Sequence, residues 1–137
     1  MYILDTNVIS ELRRNKPHGA VLAWLQTVTA HQLFLSAVTL GEIQVGIETT
    51  RAQDIKKAQE IEAWLEKIID SFSVLPMDGK AFRIWAQMMQ GRSNTISEDA
   101  MIAAIAKANN LAIATRNTSD FKGLGVPLVN PFKHPRE

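Results

Sequence analysis

Apolar positions along the chain fall into short blocks that switch between two periods. Tyr2-Ile3-Leu4 is a continuous apolar stub, cut off by the polar triplet Asp5-Thr6-Asn7, and reads as a short buried strand. A helical spacing follows from residue 8 to about residue 14 and stops at Pro17. Val21, Leu22, Trp24, Leu25 and Val28 recur at helical intervals, and Leu33-Phe34-Leu35 is a second strand stub. Thr39-Leu40-Gly41-Glu42 opens another helix, with Thr39 and Glu42 at capping-box spacing. The longest periodic segment runs over 51–72. There Ile55, Ala58, Ile61, Trp64, Leu65, Ile68 and Ile69 make one stripe, while Lys56, Lys57, Glu60, Glu62, Glu66 and Lys67 fill the rest of the surface. Val74-Leu75-Pro76 is a third stub, 81–89 an amphipathic helix, and 91–95 a polar stretch. Residues 100–108 form an Ala-rich buried helix leading into a fourth strand, Leu111-Ala112-Ile113-Ala114, and 126–129 predict a fifth.

Short apolar strands separated by helices, without hairpin turn signals, imply a parallel sheet covered on both faces: an α/β fold of three layers. The chain has 137 residues, 46% of them hydrophobic, and no repeat, low-complexity tract or Pro/Gly-rich linker divides it. One domain over 1–137 is expected. In such sheets ligands bind beyond the carboxyl ends of the strands, which makes Asp5 and the Thr115-Arg116-Asn117 loop candidates for a site.

Fifteen basic and fourteen acidic residues leave a formal charge of +1, so any basic surface must be local. Cysteine is absent, which excludes a disulfide scaffold, a thiolate zinc site and a cysteine nucleophile. The opening has no charged leader and no apolar run is long enough to cross a bilayer, so a soluble, cytoplasmic protein without membrane contact is expected.

Four acids occupy places where a solvated surface charge is unusual. Asp5 ends the first strand, Glu42 lies in the first turn after the second, Asp99 begins the Ala-rich helix and Asp120 lies just past the fourth strand. Carboxylates aimed into one crevice repel each other unless a cation lies between them. Oxygen ligands without His or Cys suit Mg²⁺ or Mn²⁺, and such a site favours phosphoryl chemistry, in which the ion polarises a phosphate and activates water. Each acid also has a structural reading: Asp5 as a helix cap near Asn7, Glu42 as the partner of Thr39 in a capping box, Asp99 as a complement to the helix dipole behind Ser97, and Asp120 as a loop or short-helix cap.

Four blocks carry a family resemblance. MYILDTNVISE (1–11), LSAVTLGEIQVGIE (35–48), SEDAMIAAIAKANNLAIATRNTSDF (97–121) and GLGVPLVNPF (123–132) together resemble the PIN-domain ribonucleases, particularly the VapC-type and FitB-type toxins of toxin–antitoxin pairs. The resemblance implies a PIN-like sheet of five parallel strands flanked by helices, a Mg²⁺- or Mn²⁺-dependent endoribonuclease acting on cellular RNA such as tRNA, and a cognate antitoxin. It implies that Asp5, Glu42 and Asp99 hold the metal as catalytic acids. The fourth acid is Asp120 or is replaced at Asn117, where many relatives carry Asp. Thr6, Asn7, Thr115 and Asn117 match supporting polar positions, and Glu98 is an extra, exposed first-turn charge.

Weaker features complete the sequence. His18, His31 and His134 are too scattered for zinc and read as surface residues. Trp24, Trp64 and Trp85 lie in helical apolar stripes and read as core or subunit packing rather than base-stacking residues. Arg13, Arg14 and Lys16 follow Asp5, and Arg116 and Lys122 flank the last acidic loop. They are either ordinary solvated charges or holders of an RNA backbone. The apolar faces at 21–28 and 55–69 exceed what a short-stranded sheet covers, so a homodimer or antitoxin docking is expected to use part of them. A carboxylate pocket is most simply blocked by a cationic side chain of that partner. Two other functions compete: a non-catalytic interaction module on the same fold, and an aspartyl-phosphate phosphohydrolase, which needs a second Asp where Asn7 stands.

Overall fold

The computed structural model describes residues 1–92 and 98–135. Its strands are β1 (Tyr2–Leu4), β2 (Leu33–Ser36), β3 (Ser73–Leu75), β4 (Ala112–Ala114) and β5 (Leu128–Val129). They form one sheet in the order β3-β2-β1-β4-β5, and every pairing is parallel. The helices are α1 (Thr6–Glu11), α2 (Gly19–Leu25), α3 (Ala37–Arg51), α4 (Ile55–Ser71), α5 (Gly79–Met88) and α6 (Glu98–Ala108). Of the polar stretch expected at 91–95, residues 93–95 lie outside the described residues, as does Ser97.

Strand alternation sorts side chains between two cores. Ile3 of β1 and its register partner Ile113 of β4 face one side, where they pack with Ile102, Ala103, Ile105 and Ala106 of α6 and with Phe121. Leu4 and its partner Ala114 face the other side, against Val8, Ile9, Val21, Trp24 and Leu35. Alanines let α6 press close to the sheet, and five consecutive residues, Ile102 to Ala106, are buried. The strand order reverses at β1: the chain builds outward to β3, then returns to add β4 and β5 on the opposite side. The crevice at the carboxyl ends of β1 and β4 is therefore the topological switch point, where an open α/β sheet parts to admit a ligand.

Three helices begin earlier than the apolar spacing predicts, and in each case a polar side chain decides the start. Asp5 caps α1 from the end of β1, so the helix starts at Thr6. The ring Nδ1 of His18 accepts the Ala20 N–H at 3.2 Å and starts α2 at Gly19. Ser36 Oγ accepts the Val38 N–H at 2.9 Å and starts α3 at Ala37. This last cap overturns the capping box expected at Thr39 and Glu42: Thr39 is buried inside the helix with an unpartnered hydroxyl, and Glu42 stands in the second turn, not the first.

Burial also corrects two surface expectations. His31 is exposed, but His18 and His134 are half-buried. On α2, Val21 and Trp24 are buried, with Trp24 edge-on to Tyr2, and only Leu22 of the apolar stripe is exposed. On α4, Ala58, Leu65 and Ile68 are buried, leaving Ile55 and Ile69 outside. The chain thus covers most of both faces itself. Trp64 packs half-buried against the α3–α4 core, and Trp85 sits half-buried beside exposed Phe82. No helix among the described residues is long and apolar enough to cross a membrane.

The start of α3 is open to test. Ser36→Ala removes the cap and is expected to cost about 1 kcal/mol. Thr39→Val deletes a buried hydroxyl that has no partner and is expected to be neutral or stabilising. Urea denaturation of the two variants distinguishes a helix capped at Ser36 from one capped at Thr39.

Candidate active site

The switch point is occupied by a knot of hydrogen bonds around Asp5. The Asp5 backbone N–H donates to Ala114 C=O at 2.9 Å, which joins the end of β1 to the end of β4. The residue is 7% exposed. Its Oδ1 accepts from the Thr6 N–H at 2.8 Å, and its Oδ2 accepts from the Thr115 hydroxyl at 2.8 Å and the Asn7 amide at 3.2 Å. Thr115 is fully buried, and its hydroxyl oxygen also accepts the Asn117 N–H at 3.0 Å. Asn7 spans the two loops, since its Oδ1 accepts the Arg116 N–H at 3.0 Å. Asp5 is thus a helix cap and a preset carboxylate at once. Three of the expected supporting residues, Asn7, Thr115 and Asn117, meet around it. Thr6 contributes its backbone, while its own hydroxyl is buried without a partner.

Glu42, half-buried on α3, faces this knot. Its Oε1 is buried and has no hydrogen-bond partner. Burial pushes its carboxyl up to about 7, and repulsion from Glu98 and Asp5, a hydrogen bond with Glu98 and repulsion from Asp99 act in the same direction. Asp99, half-buried in the first turn of α6, is also held above the usual carboxylate range, first by burial and then by the charges of Asp5, Asp120 and Glu98. Asp120 is exposed within the 3-10 turn Thr118–Phe121, and its charge reaches Asp99. The fold therefore brings all four expected acids into one electrostatic neighbourhood. The Asn117 backbone ties the loop to Thr115, and its side chain makes no cap bond to the turn that follows.

Glu98 joins them. It is exposed and in the first turn, as expected, and its charge acts on Glu42 across the crevice. The signal in the sequence is its position beside Asp99 at a helix start, but the partner across the crevice is visible only in the fold. Among the described residues no three carboxylate or imidazole groups already stand in metal-ligating geometry. The donor set is nevertheless all oxygen, and the unpartnered Glu42 Oε1 is a buried acceptor facing it, which fits a hard divalent cation.

Arg13, Lys16, Arg116 and Lys122 are exposed. Arg14 is also exposed but pairs with buried Glu11 at 3.1 Å. A concavity of about 540 Å³ lies at the other end of the sheet, lined by Met1, Tyr2, Lys107, Leu111 and Pro127 among others, and no acid lines it.

The raised Glu42 carboxyl predicts a pH dependence. Between the ordinary 4.5 of the unfolded chain and about 7 in the folded one, the folded state holds the extra proton. Stability of the protein in chelator should therefore fall as pH rises through that window and level off above it. Discounted for solvent screening, the fall is on the order of 1–2 kcal/mol. Urea midpoints across this window should show it in the native chain and lose most of it in Glu42→Gln.

Comparison with known proteins gives this arrangement a family. Residues 2–126 match the PIN domain. The chain is 36% identical to the VapC ribonuclease Y4jK of Sinorhizobium fredii, over 97% of this chain and 99% of that protein. It is 35% identical to the toxin FitB of Neisseria gonorrhoeae, over 96% and 99% of the two chains. The crystal structure of FitAcB from Neisseria gonorrhoeae superposes with a TM-score of 0.83 at 35% identity, covering 97% of this chain and 99% of that one. The five-stranded parallel sheet and the full-length match agree: this chain belongs to the PIN-domain family.

Proposed function

We infer that the chain is a divalent-metal-dependent endoribonuclease, the toxin of a toxin–antitoxin pair. The observation that carries this reading is the gathering of Asp5, Glu42, Glu98, Asp99 and Asp120 near the switch point between β1 and β4, where their charges help to raise the Glu42 and Asp99 carboxyls. A fold maintains such repulsion where a cation is to be bound. The names of two full-length relatives, a VapC ribonuclease and a toxin, support the same activity.

Asp5, Glu42 and Asp99 would hold Mg²⁺ or Mn²⁺, with Asp120 completing the acidic set. The bound ion supplies Lewis acidity toward a phosphodiester oxygen and lowers the pKa of water. Asp5 is oriented by Thr115 and Asn7, so its Oδ2 is fixed before any ligand arrives. Asn117 holds Thr115 in turn through its backbone. An exposed single-stranded loop of a folded RNA such as tRNA is the substrate class, because bases there are accessible. The whole chain, 1–137, acts as one PIN domain in the cytoplasm. A cognate antitoxin restrains it by placing a cationic side chain at the acids. Exposed Val45 and Phe82 supply apolar surface for that partner or for a homodimer.

The phosphohydrolase alternative fails on Asn7, whose amide is committed to Asp5, Thr115 and the Arg116 N–H and has no acid function. A non-catalytic module would have no need of five acids gathered in one crevice.

Asp5→Asn, Asp99→Asn and Glu42→Gln are each expected to lower cleavage of total cellular RNA by more than about 100-fold with the fold retained, beyond the loss usual for outer-shell partners. Full activity in a purified variant, followed by mapping of new RNA ends with and without Mg²⁺, would remove that residue from the site. Thr115→Val should lose about 10- to 100-fold, the range expected for a group that orients a ligand.

A further inference from the structure

Arg116 stands one residue beyond Thr115 and is held in an unusual way. Its backbone is pinned on both sides: the N–H donates to Asn7 Oδ1 at 3.0 Å, and the C=O accepts from Asn130 Nδ2 at 3.4 Å. Its guanidinium lies over the ring of Phe132, 4.8 Å from the centroid. That ring is placed by the 3-10 turn Pro131–Lys133, where Asn130 Oδ1 accepts the Phe132 N–H at 3.0 Å. Behind it, the His18 ring meets Phe132 edge-on at 5.1 Å. His18 is fixed in turn by buried Glu11, whose Oε1 accepts the His18 N–H at 2.8 Å. The segment Asn130-Pro131-Phe132, to which the sequence assigns no role, is therefore the seat of one arginine.

Five acids crowd the neighbouring crevice, yet among the described residues no carboxylate pairs with Arg116. Its guanidinium is seated on the exposed side of the site over Phe132 instead. A formal net charge of +1 provides no general attraction for RNA, and an acidic crevice repels it. A cation at the rim is what a phosphodiester backbone needs to settle there. A planar fork on an aromatic face, rather than a mobile ammonium, matches a phosphate in two places at little ordering cost.

We propose that Arg116, seated on Phe132, is a preset phosphate-binding residue that holds the RNA backbone beside the acidic crevice, with Phe132 as its positioning residue. The inference rests on the endoribonuclease reading above.

The test measures binding of a fluorescein-labelled single-stranded RNA of mixed sequence by anisotropy, in chelator, between ~50 and ~300 mM KCl. It uses the full chain, Arg116→Ala, Arg116→Lys, Phe132→Tyr and Phe132→Leu, with steady-state cleavage measured alongside. Arg116→Ala should weaken binding about tenfold at the lower salt and flatten the log–log salt slope by ~0.7, the loss of one phosphate contact to a single strand. Arg116→Lys should keep the slope and recover only part of the affinity. Phe132→Tyr, which preserves the ring, should behave as the native chain. Phe132→Leu should raise KM several-fold with the slope and kcat unchanged. Native affinity and slope in Arg116→Ala, in a chain that still binds and cleaves RNA, would overturn the proposal and leave the nuclease reading standing. A native chain that neither binds nor cleaves RNA would overturn both.

Discussion

The hydrogen bond from Thr115 to Asp5 closes the point at which the sheet changes direction. A carboxylate as buried as Asp5 is tolerated only if its oxygens are satisfied, because stripping an ionised acid of water costs several kcal/mol. Three donors meet that requirement: the Thr6 N–H, the Asn7 amide and the Thr115 hydroxyl. They come from both sides of the switch point, so the acid cannot be satisfied unless β1 and β4 are paired and both following loops are in place. The backbone bond from Asp5 to Ala114 sets that pairing at its last residue. From this knot Asn7 reaches the Arg116 backbone, and the Arg116 carbonyl reaches Asn130, so order spreads from one acid to the whole mouth of the crevice.

The opposite wall is built on a different principle. Asp5 has a donor on each oxygen, whereas Glu42 presents a buried oxygen with no partner and faces the charges of other acids. Glu98 and Asp99 lie in the first turn of α6, where the helix dipole and the free N–H groups of a helix start offset part of the repulsion. The crevice thus joins a rigid, satisfied half on β1 and β4 to a strained, under-satisfied half on α3 and α6. The first half fixes where a ligand sits. The second is the part that gains most when a positive charge enters.

Much of this was legible in the chain because strands and acids announce themselves locally. An apolar run ended by Asp5, and another ended by Thr115, are strand ends in any parallel sheet, and the placement of four acids near such ends pointed to one crevice. Helix starts were less legible. Ser36 and Thr39 are both capable caps, and the choice falls to Ser36 because β2 pairs with β3 as far as Ser36 and Leu75. His18 gave no sign of capping α2, since histidine is not a usual cap and acts here through its ring nitrogen. Glu98 and Phe132 were illegible for a stronger reason: each matters through a residue far along the chain, Glu42 and Arg116, and only packing brings them together. The surplus of apolar helix surface was misjudged because α4 lies against α3 as well as the sheet, burying Ala58 and Leu65 beside Ile47.

The two outer strands shape how this protein can meet others. β3 has three residues and is followed by Pro76; β5 has two and is preceded by Pro127. Proline offers no N–H to an incoming chain, and so short an edge provides only two or three backbone bonds to extend. A peptide therefore gains almost nothing by adding itself as a sixth strand, and two copies gain as little by zipping edge to edge. Recognition is pushed onto side chains of helices and loops, where complementarity has to be specific. The same blunt edges give another copy little backbone to template on.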